Sequence, residues 1–121
     1  MQYLLSAFAL AAAMLVSCDT YKKPAPEEIN RIVIFESTYS GVKITGIRIV
    51  QDLFESRDRT CKVKLKISVI VEHDIIAYIK KGKKDFMPNI LYWKAGDKKI
   101  IDADALLGYE NDKKWHLKQY Y

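Results

Sequence analysis

The sequence predicts an α+β domain in which an antiparallel sheet of four to six strands carries one or two short helices. Between Thr60 and Glu72, the residues Cys61, Val63, Leu65, Ile67, Val69 and Val71 alternate with Lys62, Lys64, Lys66, Ser68, Ile70 and Glu72. That is the period of a strand with one face in a core. Other β-branched and aromatic runs are separated by short polar stretches suited to turns. Two further stretches, one opening at Pro26 and one from Asp74 to Gly82, carry helix signals. The 121 residues fit one domain. The first 17 residues hold no charged side chain, and without them the composition is that of an ordinary globular protein.

Residues 1–17 read as a signal peptide. Their apolar core, Leu4 to Val16, is 13 residues long, short of the roughly 20 needed to span a bilayer. Met1, Gln2 and Tyr3 carry no Lys or Arg, so the positive start of such a segment is either the terminal amine or a start lying upstream. The competing reading is a buried N-terminal helix with an incidental cysteine. Residues 18–26 read as a tether, because Pro24 and Pro26 favour an extended spacer. Residues 27–121 are the domain proper.

At the first helix signal, proline needs no backbone donor and Glu27 and Glu28 complement the positive end of the dipole. Ile29, Ile32 and Val33 supply an apolar stripe, with a strand through Ile32-Val33-Ile34-Phe35 as the alternative. Val42 to Val50 is the expected partner of the long strand. Gly46 marks a bulge where the apolar positions change parity, and Asp52 to Arg59 closes the hairpin. After the long strand, Asp74 caps a predicted helix, Ile75, Ile76 and Ile79 face the core, and Gly82 ends it. Asn89 to Lys94, the turn Ala95-Gly96-Asp97 and Lys99 to Asp102 form one predicted hairpin. Leu106 to Glu110, the turn Asn111 to Lys114 and Trp115 to Tyr121 form another.

Two resemblances follow from particular residues. Leu15-Val16-Ser17-Cys18, followed by the polar run Asp19-Thr20-Tyr21-Lys22-Lys23, resembles the lipobox of bacterial lipoproteins. The resemblance implies cleavage between Ser17 and Cys18, acylation of Cys18, and a palmitate-type lipid anchor in the cell envelope. The domain would then face the periplasm or the exterior. Two or three acyl chains hold a protein firmly, at about 0.8 kcal/mol per buried methylene. Asp19 resembles the inner-membrane retention signal of enterobacteria-like lipoproteins; other bacteria sort differently, so both membranes stay open. The order of helix, long hairpin and closing strands, with Trp115 and Leu117 after a charged turn, resembles small cystatin-like or nuclear-transport-factor-like domains. Those folds host inhibitors, scaffolds and enzymes alike.

The residues give no catalytic, metal or nucleotide motif, so no enzyme activity and no cofactor are expected. His73 and His116 lie in no local catalytic pattern, and no pair of histidines or cysteines has zinc-ligand spacing. Asp102-Ala103-Asp104 is expected to be a solvated loop, with cation binding or acid–base work as the alternative. If Cys18 is lipidated, Cys61 has no partner for a disulfide, and its strand pattern places it in the core.

Positive charge is the remaining lead, at 20 Lys and Arg against 15 Asp and Glu, a net of +5. Lys62, Lys64 and Lys66 should stand about 6.7 Å apart on one strand face, and Lys80, Lys81, Lys83 and Lys84 form a second cluster. An exported domain rarely meets nucleic acid, so an anionic headgroup or an acidic partner is the nearer target. The bland alternative is that these lysines solvate the sheet and guard its edge. The expected function is a small lipid-anchored envelope protein that binds another envelope protein as an accessory, inhibitor or exclusion factor. The alternative is a small-ligand or lipid module using a concave sheet face lined by Phe35, Tyr92 and Trp93.

Overall fold

The computed structural model describes residues 22–121. Cys18 and the whole lipobox lie outside the described residues. In chain order the elements are α1 (Pro26–Glu36), β1 (Val42–Glu55), β2 (Thr60–Val71), β3 (Ile75–Tyr78), β4 (Ile90–Trp93), β5 (Lys98–Tyr109) and β6 (Trp115–Tyr120). The strands form a four-stranded antiparallel sheet in the order β1-β2-β5-β6 and a separate two-stranded sheet, β3-β4. The fold is α+β, as the periodicity predicts.

The helix at Pro26 forms, and the competing strand does not. Proline occupies the first turn with Glu27 and Glu28, and the Ile29 N–H donates to the Ala25 carbonyl at 3.0 Å. Ile29, Ile32 and Val33 are buried while Ile34 and Phe35 are 44% and 76% exposed. That is a helical stripe; a strand would alternate.

The first hairpin forms, with β1 antiparallel to β2. Its apolar β2 row, Cys61 to Val71, is almost wholly buried. The pairing shifts between Ile44 and Gly46, where the change of parity predicts a bulge. A second shift between Ile49 and Gln51 leaves Val50 half exposed. β1 runs on to Glu55, so Asp52 to Glu55 belong to the strand, and only Ser56 to Arg59 turn.

Three expectations need correction. Residues 74–82 are not a helix. Ile75 is buried opposite Trp93, but Ile76 and Ile79 are each 72% exposed, and the Asp74 carboxylate accepts from the Ala95 N–H at 2.8 Å. Adjacent β-branched residues suit a strand better than a helix, and β4 is available to pair with them. Second, the turn at Ala95-Gly96-Asp97 does not close a hairpin. β4 pairs with β3, and the turn hands the chain to β5, where Lys98 pairs with Ile70. The turn is clipped to the end of β2 by Gly96 N–H to Val71 O (2.7 Å) and Val71 N–H to Asp97 O (2.9 Å). Third, Lys99 to Asp102 and Leu106 to Glu110 are not separate strands with a loop between them. Ile101, Ala103, Ala105 and Leu107 alternate inward along one twelve-residue strand, β5, which includes Asp102 and Asp104.

The last hairpin, β5 to β6, forms as predicted, with Lys113 in the left-handed region (φ 62°) at its turn. α1 packs on β6 and β1, the two edge strands of the large sheet. Phe54 of β1 and Trp115 of β6 meet edge to face at 6.0 Å between ring centroids, so side chains of the two edge strands reach each other.

Candidate interaction surfaces

The lysine row stands where the strand period puts it: Lys62 and Lys64 are exposed and Lys66 is half-buried. The neighbouring strand changes its charge. β5 sets Asp104 opposite Lys64 and Asp102 opposite Lys66, and the Lys66 ammonium donates to Asp102 Oδ1 at 2.9 Å. The outer face is thus a ladder of both signs. Lys62 lies between Leu53 and Leu106. Beside it, Gln51, Leu53, Lys64, Asp104 and Tyr121 help to line a half-open groove of about 250 Å³.

The aromatic trio does not share a wall. Successive residues of a strand face opposite ways. Trp93 pairs with buried Ile75, under the Lys99 ammonium at 5.5 Å, whereas Tyr92 pairs with exposed Ile76 and is itself 54% exposed. Phe35 sits on α1, 76% exposed.

His116 is not a free surface side chain. Its Nδ1 lies 3.2 Å from Glu36 Oε1 at the end of α1, and its Nε2 lies 2.6 Å from Asp112 Oδ2 in the last turn. The hydrogen bond to Asp112, helped by Glu36, raises its pKa above the ordinary value. This clasp ties helix to hairpin. His73 is exposed two residues past the end of β2, near Gly41. Among the described residues, no group of three His, Cys, Asp or Glu is placed to hold a metal.

Cys61 is fully buried, and burial, aided by the Asp52 carboxylate, pushes its thiol up to about 11. Asp52 itself pairs with Lys23 at 2.9 Å.

Two features escaped the sequence. Asp85 is a buried carboxylate that accepts from the Tyr78 hydroxyl (2.5 Å), the Lys81 N–H (3.0 Å) and the Met87 N–H (2.9 Å). Burial and this bond push the Tyr78 hydroxyl up to about 12. Asp85 shapes the loop 79–89, in which Phe86 and Met87 are buried in the core, Phe86 against Tyr39 and Tyr120. The other feature is the outside of the small sheet. Ile76, Ile79, Leu91 and Tyr92 are between 54% and 89% exposed, and Ile79 and Leu91 line one shallow depression of about 280 Å³. Their signal was present as two short β-branched or aromatic runs, but the helix signals at Asp74 and Gly82 masked it.

Among the described residues, no helix is long and apolar enough to cross a membrane. Compared with protein-family models, curated proteins and solved structures, the chain matches none.

Proposed function

We propose that this chain is a small bacterial envelope lipoprotein, anchored through acylated Cys18, that acts without catalysis by binding another envelope protein as an accessory, inhibitor or exclusion factor. The observation that carries the binding role is the exposure of four large apolar side chains on and beside the β3-β4 hairpin: Ile76, Ile79, Leu91 and Tyr92 are between 54% and 89% exposed, and Ile79 and Leu91 line one depression. Exposed aliphatic side chains are unremarkable singly, but a contiguous set on one small element marks an interaction site. The lipobox-like Leu15-Val16-Ser17-Cys18 and the proline-bearing tether support the anchor. We read the fold as cystatin-like, on the order of one helix followed by an antiparallel sheet curled against it. The alternative role, a small-ligand or lipid module on a concave face, lacks its expected wall because Phe35, Tyr92 and Trp93 do not line up.

The test is in-cell crosslinking of the full chain with a photoreactive residue at position 91 or, as control, at position 45 on exposed β1. The reading expects a discrete protein adduct from position 91 that is lost in Cys18→Ser and absent from position 45. No adduct from position 91, or the same adducts from both, would overturn it.

A further inference from the structure

The half-open groove of about 250 Å³ on the outer face of the large sheet draws its walls from three adjacent strands. Gln51 and Leu53 of β1, Lys62 and Lys64 of β2, Asp104 of β5 and Tyr121 line it. Val63 and Ala105 also border it, but both are buried, so their side chains face the core and their backbone forms the floor. None of these residues belongs to the β3-β4 hairpin, so the groove is separate from the hairpin's apolar side chains.

The groove opens where the charge ladder stops closing. Lys66 and Asp102 stand opposite each other and bond at 2.9 Å. Lys64 and Asp104, two residues along, also stand opposite each other, yet no bond joins their side chains, and both residues line the groove. Among the described residues, the Lys62 and Lys64 ammonium groups have neither a hydrogen bond nor an ion pair. The apolar walls are open as well, since Leu53 and Tyr121 are 54% and 63% exposed. The Tyr121 N–H donates to the Asp104 carbonyl at 2.8 Å, which fixes Tyr121 at the border of the groove.

We infer that this groove binds a small apolar carboxylic acid, its carboxylate on the Lys62 and Lys64 ammonium groups and its hydrocarbon part against Leu53 and Tyr121. Lys62 and Lys64 are about 6.7 Å apart along the strand, and their flexible four-carbon stems are long enough to converge on one carboxylate. Two ammonium groups against the single carboxylate of Asp104 leave a net charge of +1. A monoanion balances that charge, and Asp104 repels a second negative group. The exposed apolar walls select anions that carry hydrocarbon. Drug-sized ligands fill pockets of about 300 to 1,000 Å³, so a molecule with one short chain or ring fits here and a two-chain lipid does not. Exposed charge pairs contribute little each, so the affinity is expected to be about millimolar and sensitive to salt.

The probe is 3-(4-fluorophenyl)propionate, followed by the broadening of its fluorine NMR line on titration with the purified full chain in the presence of phosphatidylcholine nanodiscs, with empty nanodiscs as the blank. Saturable broadening above the blank is expected, and high salt should weaken it. Lys62→Ala with Lys64→Ala should weaken binding about fivefold or more, and so should Leu53→Ala with Tyr121→Ala. Lys43→Ala with Lys98→Ala removes the same charge farther along the sheet, where both residues flank Ile70, and should leave binding unchanged. All of these positions are exposed, so unchanged melting curves will show that the variants fold. No saturable broadening, binding that the Lys62 and Lys64 variant keeps, or equal weakening by the Lys43 and Lys98 variant overturns the site. Equal binding of the matching alcohol, 3-(4-fluorophenyl)propan-1-ol, overturns the anion. Acetate that displaces the probe at equal concentration overturns the apolar part. Binding abolished in nanodiscs that are half phosphatidylglycerol would show a lipid headgroup on these lysines and overturn the free acid.

Discussion

Ala77 has a φ of +51°, where an alanine's Cβ crowds the following carbonyl, at a cost of about 1 kcal/mol or more. Ala77→Gly removes the strain but frees the unfolded chain, so the expected net gain is about 0.5 kcal/mol, read as a rise of a few degrees in Tm. His116 makes a second test at this scale. Its folded pKa lies above the unfolded value, so the clasp stabilises in full below about 6.5 and is lost as pH rises through the folded value. Urea midpoints of the wild type should fall between about pH 5.5 and about pH 8.5, and His116→Gln should flatten that fall. Cys61 belongs here too. Buried and held near 11, it should resist a bulky thiol reagent under native conditions and react on unfolding.

The segment between β2 and β5 is the element on which sequence and structure part. Asp85→Ala leaves the Tyr78 hydroxyl and two backbone N–H groups without their acceptor, a loss of about 3 kcal/mol. The loop should loosen while the large sheet holds. Faster hydrogen exchange at residues 79–89, with β2 and β5 still protected, would confirm it. Equal exchange throughout would show that Asp85 supports the whole domain. The long hairpin was legible because β2's alternation is unbroken for twelve residues and its partner's parity change sits at a glycine. The small sheet was not, because four-residue strands are too short to show a period, and a capping aspartate and a later glycine there serve other bonds.

At the scale of the whole molecule, the lysine row and the aspartate pair were each visible, but their neighbourhood across β2 and β5 was not. Charge reversal of Lys62, Lys64 and Lys66 would thus oppose Asp102 and Asp104 with like charges as well as remove cations. The proposed anchor is tested separately. Cys18→Ser should accumulate as an unprocessed precursor without lipid label; normal maturation of that variant, followed by metabolic labelling with a fatty-acid probe, would refute the assignment.

What the sequence determined by itself are the features written in local periods: the helix stripe of Ile29, Ile32 and Val33, the inward row from Cys61 to Val71, the bulge at Gly46 and the final charged turn. Each depends on residues within a few positions of one another, so spacing alone encodes it. Tertiary structure decided which strand lies beside which, and with it the fate of every polar group that finds its partner far along the chain. Lys66 meets Asp102, His116 bridges Glu36 to Asp112, Trp115 holds Lys22, and Asp85 gathers the loop around itself. It also decided that Ile76, Ile79 and Leu91 stay in water. β3 and β4 pair with each other and not with the large sheet, and Ile76, Leu91 and Tyr92 on them each keep more than half of their surface exposed.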